Sequence, residues 1–206
     1  MRADPPPSDG GGRPRRPPPP FRRAVVARRR VLGPRLVRVT VAGAELEGFP
    51  VPEPAASVRL LLPSPGAALV VPSWTGNEFL LPDGRRPVIR TLTPRRVDPG
   101  RGELDVDVVV HGEGAASRWA HEARAGQPVA VSGPGRGTAL DPGARAAVVA
   151  GDETALTAVA QVLEALPETT PVVVLVETVR VGAGEPAPPL PARPGAEVRW
   201  LPRHPA

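Results

Sequence analysis

An acid and an imidazole, Asp107 and His111, stand four residues apart in the segment ELDVDVVVHGEGAASRWA. Side chains on an extended strand repeat every two residues, so Leu104, Val106, Val108 and Val110 share one face, and Asp105, Asp107 and His111 share the other. The pattern predicts a half-buried strand over Glu103 to His111 that ends by presenting an acid and an imidazole. Gly112-Glu113-Gly114 then leads into Ala115 to Ala123, whose small residues and Trp119 suit a short helix. Free N–H groups and the positive end of the dipole make such a junction a seat for phosphate. Each feature also has a plainer reading. An acid and an imidazole on one strand face most often meet only solvent, a glycine pair before a helix is more often a turn, and a lone histidine there more often serves structure.

The elements that must position these residues follow from the same periodicities. Ala24 to Val31 and Leu36 to Val41 read as an antiparallel pair around Gly33-Pro34, and Ser57 to Leu62 as a third strand after the turn-like Gly43 to Pro54. Glu78 to Leu81, Val88 to Thr93, Glu103 to Val110 and Pro128 to Ser132 complete the set. Short strands at this spacing, with one helix before the last, suit a small antiparallel β-barrel. After Gly133-Pro134-Gly135-Arg136-Gly137 the character changes. Ala146 to Ala150 is a continuous apolar run, and Thr154 to Leu166 carries Leu156, Val159, Ala160, Leu163 and Leu166 at helical spacing until Pro167 stops it. Val172 to Val176 and Glu197 to Leu201 read as further strands. This is a strand–helix–strand unit of a parallel α/β sheet, with Gly151-Asp152-Glu153-Thr154 at the carboxyl end of its first strand, where open sheets bind ligands. The expected organisation is a tail over residues 1–20, a barrel over 21–140 and a partial α/β domain over 141–206.

Composition narrows the function classes. Of 206 residues, 31 are proline and 22 glycine, and much of that excess lies in the first twenty residues and in Gly182 to Gly195, which cannot bury a core. The net charge is +5 and every basic side chain is arginine, an excess that could steer anionic ligands or simply make a solvated face. With three Phe, three Trp and no Tyr, a base-stacking surface is poorly supplied, so no nucleic-acid partner is expected. The absence of cysteine excludes disulfides, iron–sulfur clusters and zinc-thiolate sites within the chain, and His111, His121 and His204 are too scattered to suggest a metal site. No apolar run reaches the length of a membrane span and the N-terminus lacks a signal-peptide core, so a cytoplasmic protein is expected.

Order and spacing together carry more than any single feature. Arg90-Thr91-Leu92-Thr93, Asp107 to Gly112, Gly114-Ala115-Ala116-Ser117-Arg118-Trp119-Ala120, Gly133-Pro134 and Gly151-Asp152-Glu153-Thr154-Ala155-Leu156-Thr157-Ala158 form five collinear motifs. Over roughly Phe21 to Arg203 the chain resembles the siderophore-interacting proteins, flavin-dependent ferric-siderophore reductases related to the ferredoxin reductases. The resemblance implies an antiparallel flavin-binding barrel followed by a nicotinamide-nucleotide domain, FAD as cofactor, NAD(P)H as electron donor and a ferric siderophore as substrate, reduced to release Fe(II). It implies Arg90 on the flavin pyrophosphate and Thr93 on the redox end of the isoalloxazine, the catalytic position. Asp107, His111 and Gly112 would fix the adenine and ribose side, and the backbone at Gly114, Ala116 and Ser117 would hold phosphate over Trp119. Thr154 and Ala155 would meet flavin or nicotinamide at the domain junction, and Arg59 would contact an anionic siderophore.

Several positions depart from the family pattern. Leu92 replaces a tyrosine expected against the flavin, which removes a ring face and a hydroxyl, and Ala115 and Thr157 replace prolines. The family pattern continues past Trp200-Leu201-Pro202-Arg203, whereas this chain stops at Ala206, so a partial sheet with an unpaired edge is expected. A non-catalytic flavin or siderophore binder is therefore a second expectation. A nucleic-acid module driven by the arginine-rich N-terminus is a third and weaker one.

Overall fold

The structure, a computed structural model, describes residues 17–64, 66–179 and 188–203. Most of the expected N-terminal tail, the first part of the Gly182 to Gly195 connection and His204 lie outside the described residues. The first half contains β1 (Phe21–Gly33), β2 (Leu36–Ala42), β3 (Val58–Leu62), β4 (Ser73–Trp74), β5 (Phe79–Leu80), β6 (Val88–Leu92), β7 (Pro94–Asp98), β8 (Glu103–Val109), α1 (Ala115–Glu122) and β9 (Pro128–Ser132). The second contains β10 (Ala147–Asp152), α2 (Leu156–Ala165), β11 (Val172–Thr178) and β12 (Ala196–Pro202).

Seven strands form one antiparallel sheet in the order β6-β3-β9-β1-β2-β8-β7. Its two outermost strands, β6 and β7, are separated in the chain by Thr93 alone. Laid flat, six inter-strand gaps of about 4.8 Å would hold them about 29 Å apart. A single linking residue spans at most about 7 Å. The sheet must therefore roll up until its edges meet at Thr93, which makes it a barrel. Inside lie Val39, Val41, Val58, Leu60, Leu104, Val106, Val129 and Val131, the inward residues of alternating strands, closed below by Leu46 and Phe49. The hairpin β4–β5 stacks its Trp74 and Phe79 edge to face, and Phe79 meets Phe21 in the same way.

Two expectations need correction. Strand β7 falls between the predicted elements because Pro94 and two arginines are poor strand signals. It forms as the barrel's edge, pairing with β8 from Pro94↔Val106 to Asp98↔Glu103, where a proline costs no ladder bond. Strand β8 ends at Val109 rather than His111: the Val110 N–H still donates to the Arg35 carbonyl at 2.8 Å, one step past the last pair Leu36↔Val109, and the chain then turns at Gly112. The arginine run also has partners: Arg28 forms a two-point pair with Glu103 at 2.9 and 3.1 Å, and Arg29 Nε donates to the Ala120 carbonyl at 2.8 Å, near the negative end of α1. Arg28 and Arg29 are thus engaged within the fold.

The second sheet is parallel, in the order β10-β11-β12. Val172, Val174 and Val176 of β11 face Leu156, Val159, Leu163 and Leu166 of α2, so one face of the sheet is packed. On the other face Val148 is 71% exposed, and β10 and β12 are both outer strands among the described residues. Helix α2 starts two residues later than the sequence suggests, after a 3-10 turn over Glu153–Ala155. Its far end is closed by Arg193, which donates to the carbonyls of Leu163 (2.7 Å), Leu166 (2.8 Å), Thr170 (3.2 Å) and Pro167. The last carbonyls of a helix lack partners within it, so one guanidinium replaces a cap. Arg193→Ala should lower stability by about 1.5–3 kcal/mol, read as a shift of the urea midpoint.

Candidate functional site

Closure of the barrel at Thr93 gathers the motif residues onto one rim. Leu92 pairs with Val58 and Thr91 with Arg59, while Arg59 also pairs with Ser132 on its other side. Across the seam, Pro94 pairs with Val106, so the Thr93 corner lies at the end of β8 that leads through Asp107 to His111.

On β6, Arg90 is exposed, and its Nη1 donates only to the neighbouring Ile89 carbonyl at 2.8 Å. Leu92 is half-buried and packs against the barrel core, as Val88 does. Thr93 and Arg59 are also half-buried. Neither Arg59 nor Arg90 has a carboxylate partner among the described residues, whereas Arg35, Arg38 and Arg95 on the same rim are all paired.

Beyond β8 the chain turns at Gly112, whose φ of +53° is one that side chains disfavour. Ser117 locks this turn: its Oγ accepts from the His111 N–H at 3.1 Å and donates to the His111 carbonyl at 3.0 Å. The buried Ser117 hydroxyl thus belongs to the turn, and His111 is left exposed with Gly112 and Gly114. Gly114 caps α1 without a side-chain bond, so the first N–H groups of the helix, at Ala115, Ala116 and Ser117, remain available. Ala116 and Trp119 pack inward on the barrel core; the Trp119 indole N–H is buried without a partner among the described residues. Asp107 does not stand free as its place on the strand suggested. Both carboxylate oxygens are held by Arg38, at 2.6 and 2.8 Å, and the side chain is only 8% exposed. Asp105 is likewise taken, by the Thr40 hydroxyl at 2.5 Å. The outward face of β8 is a row of paired acids, not a solvated surface.

The second domain brings its own turn to this rim. A Cβ on Gly151 would lie 2.7 Å from the Ala155 Cβ, so only glycine lets the 3-10 turn fold back over the end of β10. Asp152 accepts from the Thr154 N–H at 2.8 Å and from its hydroxyl at 2.6 Å. These bonds hold the Asp152 carboxyl below its usual range, so they stabilise the fold at neutral pH and are lost as acid protonates it. Thr154 is exposed with its hydroxyl already engaged, and Ala155 packs on the second core.

The residue that sequence reasoning missed is Glu153. It is buried, and its Oε1 accepts from the Thr178 hydroxyl, from the Val179 N–H at 2.7 Å and from Arg35 Nη1 at 3.1 Å, while Oε2 meets Arg35 Nη2 at 3.0 Å. It thereby joins β11 to the barrel. Arg95 and Glu164 make a second two-point bridge between the domains, and Gln161 makes a third contact. The only available signal was an acid set between an apolar strand and an apolar helix.

Comparison with known proteins agrees with the fold. The family model described as a siderophore-interacting FAD-binding domain matches residues 25–138, and the one described as siderophore-interacting protein matches residues 144–206. A ferric vibriobactin reductase, ViuB, of Vibrio cholerae is 32% identical over 142 residues, covering 68% of this chain and 52% of the relative. An NADPH-dependent ferric-chelate reductase of Escherichia coli is 36% identical over 105 residues, covering 51% of this chain and 41% of the relative. The chain spans about half the length of the curated relatives it matches. The crystal structure of a siderophore utilization protein from T. fusca superposes with a TM-score of 0.77 at 34% identity, covering 92% of this chain and 71% of the other. An FAD-binding barrel and an adjoining parallel-sheet domain, each matched by its own family model, make this chain a member of the siderophore-interacting protein family.

Proposed function

We propose that the barrel rim holds FAD and that the protein carries electrons from NAD(P)H through it to a ferric siderophore, in the cytoplasm, releasing Fe(II). The observation that supports this reading is Arg90, an exposed guanidinium on β6 with no carboxylate partner among the described residues, together with the start of α1, which has no side-chain cap. Such donors suit an anionic ligand. A guanidinium fork and backbone N–H groups are the donors that phosphate oxygens accept best, so the residues fit the pyrophosphate of FAD.

In this reading Arg90 and the N–H groups following Gly114 hold the phosphates. The Ser117 hydroxyl acts indirectly, by fixing the turn that presents His111 and Gly112. His111 meets the adenosine side, and Asp107 contributes by orienting the Arg38 guanidinium rather than as a bare acceptor. Thr93 offers its hydroxyl to the redox end of the ring at the barrel's closure, where Thr154 and Ala155 of the second domain approach. FAD held there would supply the conversion of a two-electron input from the nicotinamide into the single-electron steps that reduction of iron requires. Arg59, on the outward face of β3, attracts the anionic chelate. No helix among the described residues is long and apolar enough to cross a membrane.

A second reading, a binder without turnover, draws on Leu92. Where a ring and hydroxyl would meet the flavin, Leu92 packs on the barrel core and offers neither. Leu92→Tyr is accordingly expected to tighten FAD binding by about tenfold, equivalent to about 1–2 kcal/mol of stacking and hydrogen bonding, in a fluorescence-quenching titration. The two readings separate in an anaerobic assay with FAD, NADPH, ferric 2,3-dihydroxybenzoate and an Fe(II)-trapping dye. Colour that requires both FAD and NADPH supports the reductase. Bound FAD without colour supports the binder.

A further inference from the structure

Helix α2 belongs to the second domain, yet Gln161 makes both of its side-chain hydrogen bonds to the barrel. Its Nε2 donates to the Pro94 carbonyl at 2.6 Å, and its Oε1 accepts from the Ala55 N–H at 2.9 Å. These two backbone groups bracket the Thr93 corner. Pro94 directly follows Thr93, and Ala55 lies three residues before Val58, the β3 partner of Leu92. Ala55 is the one non-glycine residue with positive φ among the described residues, at +60°. An L-residue held there needs support from its surroundings. Pro94 has no N–H, so its carbonyl is its only backbone polar group. Only one orientation of the Gln161 amide serves an N–H and a carbonyl at once.

The barrel's seam explains why such a contact is useful. Strands β6 and β7 meet at Thr93 without pairing to each other, so no ladder of hydrogen bonds fixes the seam. The side chain that spans from the loop before β3 to the first residue of β7 is Gln161. One turn further along α2, Glu164 holds Arg95, the next residue of β7, through two hydrogen bonds.

We propose that Gln161 is a positioning residue by which the second domain sets the Thr93 corner against the flavin. The proposal rests on the flavin reading above. By linkage, a corner set from α2 ties flavin affinity to docking of the second domain, and the same coupling acts in reverse.

The test compares two variants of the full chain. Gln161→Met keeps the side chain's length and removes its donor and its acceptor. Arg193→Ala weakens the same helix at its far end, where every bond lies within the second domain. The readouts are amide exchange at Ala55 in flavin-free protein, the FAD dissociation constant and the visible circular dichroism of bound flavin at saturation. Q161M is expected to speed Ala55 exchange, weaken FAD binding by about tenfold and alter the dichroism, whereas R193A lowers the melting temperature and leaves all three near wild type. Equal effects of the two variants, or wild-type behaviour of Q161M, would overturn the proposal by reducing Gln161 to general support of the helix. A wild-type chain that binds no FAD would defeat the flavin reading separately. Ala55 exchange would still judge the clamp: faster exchange in Q161M than in R193A upholds it, and equal rates overturn it.

Discussion

Arg90→Ala is expected to weaken FAD binding by roughly 30- to 100-fold, the equivalent of about 2–3 kcal/mol for a charge-assisted two-point contact to phosphate. The size follows from what Arg90 does without ligand. Its guanidinium is exposed on β6 and bonds only the adjacent Ile89 carbonyl, so its removal disturbs no ion pair of the fold. Stability without flavin should therefore stay near wild type while affinity falls. Arg90→Lys keeps the charge but not the planar fork and should recover only part of the loss. Arg38→Ala makes the opposite case. It strips the partner from a carboxylate that is 8% exposed, so it should unfold the protein at lower urea whether or not flavin is present.

Glu153→Ala should be the most damaging single change to stability, costing about 2–4 kcal/mol. The loss leaves the Thr178 hydroxyl and the Val179 N–H without their acceptor and frees Arg35, which is only 32% exposed. Glu153→Gln separates charge from hydrogen bonding. Its carbonyl oxygen can still accept from Thr178 and Val179, while its amide nitrogen faces Arg35 Nη2, so it should cost about half as much. Urea unfolding followed by tryptophan fluorescence, together with FAD affinity, would register both effects. Loss of FAD affinity in E153A at a temperature where the barrel stays folded would show the two domains to be coupled through the Arg35–Glu153 pair.

The residues legible in the sequence were those whose neighbours are close in the chain. The alternation from Leu104 to Val110, the turn through Gly112 and Gly114, the helix bearing Trp119 and the apolar face of α2 are local patterns, and the fold realises them. Strand β7 was not legible, because Pro94-Arg95-Arg96 has no strand signature and pairs only by virtue of its place at the barrel edge. The fate of Asp107 was hidden for a related reason: alternation assigns it a face, but only the register Arg38↔Asp107 shows that an arginine lies opposite. The domain junction was beyond reach altogether. Arg35 and Glu153 are 118 residues apart, Ala55 and Gln161 are 106 apart, and no local rule links residues at such separations. The motif Gly-Asp-Glu-Thr-Ala pointed to Thr154 and Ala155 as ligand-facing, yet its most constrained side chain is Glu153, which builds the junction where those residues lie.

Whether this rim is a flavin site served by the adjoining domain is decided by an absorbance titration of the purified protein with FAD, followed by NADPH under anaerobic conditions. Saturable binding with a perturbed flavin spectrum, lost in R90A, is expected, followed by bleaching of the oxidised-flavin band at about 450 nm on adding NADPH. A chain that leaves the FAD spectrum unchanged at every concentration, with R90A indistinguishable from wild type, would contradict the flavin reading.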